Sequence, residues 1–275
     1  MIRKLTSKKE WDRIRRDGPI TPRRVARYVL RPVQRLAWIP VRPFLGTVTS
    51  VQTRVPVASL TFDDGPHPEF TPRLLDILRR HGAHGTFFML GQSAQKYPEI
   101  VRKIAEAGHA IGNHTWDHPS FPLISARERH RQLRACADAI TPYGLRLFRP
   151  PYGEQNLLSR LTAARLGYQV IMFSVDVGDF CEPDGDRLAR LLIQHTRPGS
   201  IIVLHDSVAW HASPCHAPKL DRQPQTDRQP MLTAVDRLLE SLSGSIRFVT
   251  VTELFQYGRP RREKWIKVIP SRPRP

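Results

Sequence analysis

The sequence predicts an α/β fold in which helices cover a mainly parallel sheet. From residue 57 onward, short apolar segments typical of strands alternate with amphipathic segments typical of helices. The apolar segments contain few polar residues, as expected for strands covered on both faces. Such alternation favours parallel strands joined by helical crossovers. It leaves open whether the sheet closes into a barrel or stays open and doubly wound.

The first half of the alternating region contains three predicted strands and three predicted helices. Leu74 and Leu78 recur at helical spacing in the first helix, and Gly108 stands where the second helix should end. Ser125 is a suitable N-cap for the third helix, and Glu128 completes a capping box. The predicted segments are strand 57–62, helix 72–81, strand 85–90, helix 97–107, strand 109–113 and helix 125–140.

The second half continues this pattern with one interruption. Gly167 follows the fourth helix as a stop signal. Residues 207–230 are rich in His, Pro and Gln and are predicted to form a surface loop insertion, with His211 and His216 solvated. The predicted segments are strand 145–149, helix 157–166, strand 168–175, helix 184–196, strand 200–204, helix 231–242 and strand 246–251.

Positive charge is concentrated at the two ends of the chain, whose formal net charge is +18. Residues 1–56 contain 14 Lys and Arg against 3 Asp and Glu, and residues 258–275 contain 7 against 1. Residues 57–257 are nearly neutral, with 22 basic and 21 acidic residues. We therefore expect a basic N-terminal arm, a globular domain over 57–257 and a basic C-terminal tail, with no specific nucleic-acid partner.

The basic arm is also a candidate for contact with a membrane surface. Arginines alternate with apolar and aromatic residues in segment 23–39, a pattern that can lie on anionic lipid. An arm that packs on the protein or stays solvated is the alternative. Because no long apolar run follows the basic N-terminus, we expect a cytoplasmic protein, peripheral at the inner membrane face through residues 1–56.

Reactive polar residues lie at or soon after the ends of five of the predicted strands. They are Asp63 and Asp64, His114 and His118, Arg149, Asp176 and Asp179, and His205 and Asp206. The carboxyl ends of parallel strands meet at one edge of a sheet, and α/β proteins build their sites there. We therefore expect these residues to lie together in one site.

The residue types in this group suit a divalent metal. Adjacent carboxylates such as Asp63 and Asp64 repel each other and require a compensating cation. The motif His114-Thr-Trp-Asp-His118 spaces two imidazoles so that a helical turn would bring them to one side. Two imidazoles and one carboxylate can bind a metal while leaving coordination positions open.

The remaining groups suit hydrolysis of an amide or an ester. A bound metal activates water, and the second carboxylate of the Asp63-Asp64 pair can take a proton from that water. Arg149 would keep that carboxylate charged. His205 could then donate a proton to the leaving group.

Five ordered motifs in this sequence resemble those of the polysaccharide deacetylases, carbohydrate esterase family four, which have a NodB-type catalytic domain. The resemblance covers about residues 57–257, and residues 67–91 also resemble rhizobial chitooligosaccharide deacetylases. It implies a deformed (β/α)7–8 barrel. The motifs are Thr61-Phe62-Asp63-Asp64-Gly65-Pro66, His114-Thr-Trp-Asp-His118, Arg149-Pro150-Pro151-Tyr152-Gly153, Asp176-Val177-Gly178-Asp179-Phe180 and Leu204-His205-Asp206.

The resemblance also implies an activity and a role for each motif residue. The implied activity is metal-dependent removal of acetyl groups from N-acetylated sugars of an oligosaccharide, a polysaccharide or a lipid-linked glycan. The metal is most often zinc, with cobalt, manganese or nickel as alternatives. The implied roles are Asp63 as general base, Asp64, His114 and His118 as metal ligands, Arg149 as the residue orienting Asp63, and His205 as general acid tuned by Asp179.

Further implied residues surround the acetyl group. The backbone N–H of Tyr152 would hold the oxyanion, Pro151, Phe180 and Leu204 would contact the substrate, and Thr115 would support the metal-binding turn. Phe180 departs from the usual Trp of the fourth motif, which changes the shape of the acetyl pocket. The alternatives are an O-acetyl esterase or a deformylase on a related glycan, and a membrane- or nucleic-acid-binding protein with a vestigial site.

Overall fold

The computed structural model describes residues 46–209 and 226–263, which contain ten strands and eight α-helices. The strands are β1 Thr47–Gln52, β2 Val57–Asp63, β3 Gly85–Met89, β4 Ala110–Asn113, β5 Gly144–Phe148, β6 Gln169–Val170, β7 Val175–Asp176, β8 Ile201–His205, β9 Arg247–Phe248 and β10 Arg259–Glu263. The helices are α1 Phe70–Arg80, α2 Gly91–Lys96, α3 Pro98–Glu106, α4 Ala126–Ala139, α5 Leu157–Arg165, α6 Gly185–His195, α7 Gln229–Leu242 and α8 Val251–Leu254.

A curled parallel sheet organises these elements. Its strands are hydrogen-bonded in the order β6-β5-β4-β3-β2-β8-β7, and β9 pairs with the start of β2. Strand β1 lies between the two ends of this curl, where Val48 bridges to Ile171 and Ser50 bridges to Ser200. The sheet is therefore a half-barrel with helices around it. The predicted α/β class and the deformed barrel are both confirmed.

The two faces of the curled sheet form separate cores. Phe88 and Ile201 face the interior of the curl, where Val48 of β1 packs against the same cluster. Leu60 and Leu204 face outward and pack with the helices. Because side chains alternate along a strand, the odd-numbered residues of β2 and β8 point toward the interior. Asp63 and His205 therefore end their strands on the interior face.

The single strand predicted over 168–175 is wrong, because this segment forms two strands with different neighbours. Strand β6 pairs with β5, whereas β7 pairs with β8. Between them, the carbonyls of Ile171 and Met172 accept hydrogen bonds from Arg149 at 3.2 and 3.1 Å. A buried guanidinium requires acceptors, and this part of the backbone supplies them.

Capping explains two further differences from the sequence prediction. Ser125 caps α4 as predicted, but the side chain of Glu128 bonds to Arg131 rather than completing a capping box. The predicted strand 246–251 is also too long. Thr250 and Glu253 form a capping box that starts α8, so the strand is confined to β9.

Strands β1 and β10 form a two-stranded antiparallel ribbon that was not predicted from the sequence. These strands lie within the segments predicted as basic arm and basic tail. Residues 1–45 and 264–275 of these segments lie outside the described residues, as do residues 210–225 of the predicted loop with His211 and His216. Within the described ranges, no helix is both long and apolar enough to cross a bilayer.

Candidate active site

The reactive residues predicted from the sequence converge on one cavity at the carboxyl ends of the strands. Strand β2 delivers Asp63 and Asp64, β8 delivers His205, and the segments after β4 and β5 deliver His114 and Arg149. All five of these residues line the cavity. Asp176 lines it as well, whereas His118, Asp179 and Asp206 of the predicted group do not.

Asp64, His114 and His118 form a buried cluster in this region, and one ligand atom of each lies within 4.8 Å of the others. Oδ1 of Asp64 lies 3.4 Å from Nε2 of His114 and 3.3 Å from Nε2 of His118. Burial alone would raise the pKa of Asp64. The charge of His118 and the contact with His114 outweigh burial and hold this pKa well below its usual range.

This donor set fits a divalent metal. Oδ1 of Asp64 is buried and accepts no well-aligned hydrogen bond from the described residues. Nδ1 of His114 lies 2.7 Å from the carbonyl of Arg149, an arrangement that orients an imidazole and leaves its Nε2 for a metal. Two imidazole nitrogens and one carboxylate oxygen are a common set for zinc with an open position.

The turn that carries His114 and His118 is not helical, contrary to the prediction from its spacing. Thr115 and His118 have positive φ angles of 75° and 63°, which interrupt a helical path. Side chains hold the turn instead. Asn113 accepts a hydrogen bond from the N–H of Thr115 at 2.9 Å, and the Thr115 hydroxyl accepts one from the N–H of His118 at 3.2 Å.

Asp63 lies beside Asp64 but has a different partner. Nη1 of Arg149 donates a 2.7 Å hydrogen bond to Oδ1 of Asp63. The same Nη1 donates to the hydroxyl of Thr61 at 2.7 Å, and that hydroxyl donates to the carbonyl of Ile202 at 2.6 Å. Arg149 is only 1% exposed. The two neighbouring carboxylates therefore have different partners: Asp64 faces imidazoles, and Asp63 faces a guanidinium.

His205 pairs with Asp179, as expected for an acid tuned by a carboxylate. Nδ1 of His205 lies 2.8 Å from Oδ1 of Asp179, and the backbone N–H of His205 donates to Oδ2 at 2.9 Å. Burial disfavours the imidazolium. The charge and hydrogen bond of Asp179 outweigh burial and raise the pKa of His205 to about 10.

The apolar wall of the cavity differs from the prediction at two positions. Phe180, Tyr152 and Val203 line the cavity, whereas Leu204 does not. Leu204 is fully buried in the outer core because the residue before His205 points to the other face of β8. Pro151 is likewise absent from the lining, where its neighbour Pro150 is found. The residue two positions before His205 is therefore the one that faces the cavity.

Residue parity along the strands could have identified Val203 and Thr61, which share a face with His205 and Asp63. Asp206 gave a weaker signal, since it directly follows His205 but does not line the cavity. It is fully buried, accepts a hydrogen bond from the Thr71 hydroxyl and fills the space beside Gly65. Burial raises the pKa of Asp206 to about 7, against the opposing hydrogen bond from Thr71.

Similar proteins are known by sequence. The sequence profile of the polysaccharide deacetylase family matches residues 50–171. A peptidoglycan-N-acetylglucosamine deacetylase of Bacillus cereus is 33% identical over 210 residues, covering 74% of this chain and 70% of that protein. A chitooligosaccharide deacetylase of Sinorhizobium fredii is 34% identical over 203 residues, covering 72% of this chain and 91% of that protein.

Solved structures are also similar to this chain. The Bc1960 peptidoglycan N-acetylglucosamine deacetylase has a TM-score of 0.69 and 30% identity, covering 82% of this chain and 99% of the other. A mutant of BA3943, described as a CE4 family pseudoenzyme with restored enzymatic activity, has a TM-score of 0.65 and 25% identity. It covers 77% of this chain and 71% of that one. Because this fold also occurs in a pseudoenzyme, the side chains of the site carry the functional argument.

Proposed function

This chain belongs to the polysaccharide deacetylase family, and from that membership we propose that it is a metal-dependent hydrolase that removes acetyl groups from N-acetylated sugars. The observation that carries the proposal is the division between the two neighbouring carboxylates. Asp64 faces His114 at 3.4 Å, whereas Asp63 accepts a hydrogen bond from Arg149 at 2.7 Å. One carboxylate is thus available as a ligand and the other as a base.

Asp64, His114 and His118 would hold the metal, and we propose zinc as the ion, with cobalt, manganese or nickel as alternatives. When bound, such an ion polarises a carbonyl and lowers the pKa of water to roughly 7. Asp63 would accept the proton of the attacking water, since Asp64 is the carboxylate that would bind the metal. Arg149 holds Asp63 in place through a bond that does not involve the substrate.

His205 would donate a proton to the nitrogen of the departing amine. It lines the same cavity as Asp63, and Asp179 holds its Nδ1, so Nε2 is the atom that can face the substrate. The backbone N–H of Tyr152 would stabilise the oxyanion formed at the acetyl carbon. Its positive φ of 57° turns the chain at the rim of the cavity.

The walls of the cavity are suited to a small acyl group on a polar substrate. Phe173, Phe180 and Val203 supply apolar surface, while the charged residues gather around Asp63. We propose that the acetyl methyl packs against these apolar side chains. By analogy with relatives named for chitooligosaccharides and for peptidoglycan N-acetylglucosamine, the proposed substrate is a glycan that contains N-acetylglucosamine.

The test combines metal analysis with a panel of acylated sugars. The purified protein is loaded with zinc and incubated with chitooligosaccharides, peptidoglycan fragments, O-acetylated sugars and N-formylated sugars. Release of acetate from the N-acetylated glycans, with a mass loss of one acetyl group per turnover, is the expected result. Release only from O-acetylated or N-formylated sugars would replace the proposal with an esterase or a deformylase. Metal binding without any hydrolysis would indicate a vestigial site.

We also propose that the protein is cytoplasmic and contacts anionic membrane through residues 1–56. The support is the excess of 14 basic over 3 acidic residues in that segment, since each basic residue near an anionic surface contributes about 1 kcal/mol. Sedimentation with vesicles containing anionic lipid tests this proposal, with neutral vesicles as the control. Equal binding to both vesicle types, or recovery of the protein outside the cell, would contradict it.

A further inference from the structure

A second buried arginine lies behind the general acid. Arg228, directly before α7, is fully buried and does not line the cavity. Its Nη1 donates to the backbone carbonyl of Asp179 at 3.3 Å and lies 3.6 Å from Oδ2 of the same residue. Its Nε donates to the carbonyl of Asp227 at 3.1 Å. None of the sequence motifs includes Arg228.

Asp179 has His205 on one side and Arg228 on the other. Its two carboxylate oxygens bind the imidazole and the backbone N–H of His205. Asp179 is itself fully buried. A buried carboxylate with a single ionisable partner would lose its compensating charge whenever that partner gave up its proton. Arg228 is a cation that does not titrate in this way.

The charged groups around His205 come from several elements. Asp179 follows β7, Asp63 and Asp64 end β2, and all three act on the imidazole electrostatically. Arg228 lies within ion-pair distance of Asp179, and the charges of Asp227 and Asp64 also act on Arg228. Among these groups, the described residues place one permanent cation, Arg228, within ion-pair distance of Asp179.

We propose that Arg228 is a positioning residue for the general acid, which fixes Asp179 and compensates its charge so that His205 can release its proton during turnover. The inference rests on the proposed function for its consequence in catalysis, but its physical core is independent of the substrate. Without Arg228, the full negative charge of Asp179 would act on His205. The imidazolium would then be held more tightly and would be a poorer acid.

The test compares Arg228→Met, Arg228→Lys and a matched control, Arg129→Met. Arg129 is also buried, at 5% exposure, and donates to the Ile124 carbonyl. Both residues are far in sequence from the Asp179–His205 pair. Met preserves length but removes the charge, whereas Lys keeps the charge. The zinc-loaded proteins are labelled with carbon-13 in histidine, and the His205 resonance is assigned by its absence in His205→Gln.

In Arg228→Met, the titration of His205 should move to higher pH by about one pH unit. With the deacetylation substrate, kcat near pH 7 should fall about tenfold while KM changes less than about twofold, because Arg228 does not touch the cavity. The alkaline limit of the kcat profile should move upward with the titration. Arg228→Lys should recover most of these changes, and Arg129→Met should show none of them.

An unchanged His205 titration in both Arg228 variants would overturn the inference, as would the same change in Arg129→Met. If Arg228→Met does not fold, Arg228→Lys decides. A His205 titration and a pH profile of kcat close to those of wild type support the role of the charge. A shifted His205 titration with wild-type activity contradicts it. A wild-type protein that hydrolyses no acylated sugar would end the proposed function, while the titration would still decide the role of Arg228.

Discussion

The cavity has a base side around Asp63 and an acid side around His205, and each side contains a buried arginine. The two arginines differ in whether they contact the proposed catalytic residue directly. On the base side, Arg149 bonds directly to Asp63 at 2.7 Å. On the acid side, Arg228 contacts Asp179 rather than His205, and Asp179 in turn holds His205 at 2.8 Å. The proposed base therefore touches a cation, whereas the proposed acid touches a carboxylate.

This difference follows from what each group must do. A base must be unprotonated before reaction, so a directly bonded cation suits it. An acid must be protonated before reaction, so a directly bonded anion suits it, with the arginine one step further away. The third group, Asp64 with His114 and His118, brings a carboxylate close to two imidazoles and is the proposed metal site.

The largest effect is expected from removing a metal ligand. His114→Ala should abolish both metal retention and turnover, because the cluster loses one of its three donors. Metal content after dialysis and acetate release are measured on the same preparation. Full metal content with lost activity would show that His114 acts in some way other than as a ligand.

Asp63→Asn should separate the two carboxylates. We expect metal content to stay at the wild-type level while kcat falls about 10²–10⁴-fold, the usual contribution of a general base. Asp64→Asn is the matched control and should lose the metal as well. A near wild-type rate in Asp63→Asn would show that the base assignment is wrong.

Arg149→Met should reveal how much the base side depends on its arginine for stability. The substitution leaves Asp63 buried without its ion-pair partner, and such losses cost about 3–5 kcal/mol. The carbonyls of Ile171 and Met172 also lose their donor. Urea denaturation measures the change in unfolding free energy. A change below about 1 kcal/mol would mean that water compensates Asp63 equally well.

The acid side should show a distinct dependence of stability on pH. The folded pKa of His205 is about 10, against about 6.5 in an unfolded chain. Because the folded state binds this proton more tightly, the stabilisation is fully present below pH about 6.5 and is lost as pH rises through about 10. The difference in unfolding free energy between wild type and His205→Gln, followed by urea denaturation, should therefore shrink across this window. A constant difference would contradict the strong coupling of His205 to Asp179.

The smallest effect is expected at the apolar wall between the two sides. Val203→Ala should enlarge the acyl pocket and raise the ratio of propionyl to acetyl removal by about tenfold. Leu204→Ala should instead lower stability by about 2–5 kcal/mol without changing this ratio, since Leu204 lies in the outer core. The reverse pattern would restore Leu204 as the pocket residue.

Elements with strong local signals were predictable from the sequence. Most strands and helices of the alternating region, the N-cap at Ser125 and the helix ends at Gly108 and Gly167 agree with the structure. The two-residue strands β6 and β7 were not predictable as separate elements. Their segment is mostly apolar, and the backbone between them binds the buried Arg149 through the carbonyls of Ile171 and Met172, a long-range contact that the local sequence does not encode.

For the site, the sequence by itself determined which residue types stand at the ends of the strands and in what order. It therefore determined the candidates Asp63, Asp64 and His205, because strand ends and motif spacing are local properties of the chain. Tertiary structure alone decided that Arg228 lies behind Asp179, that Val203 rather than Leu204 faces the cavity, and that His114 and His118 meet through a non-helical turn. These outcomes depend on contacts between residues far apart in sequence and on which face of each strand is buried, and a linear pattern of residues does not specify either.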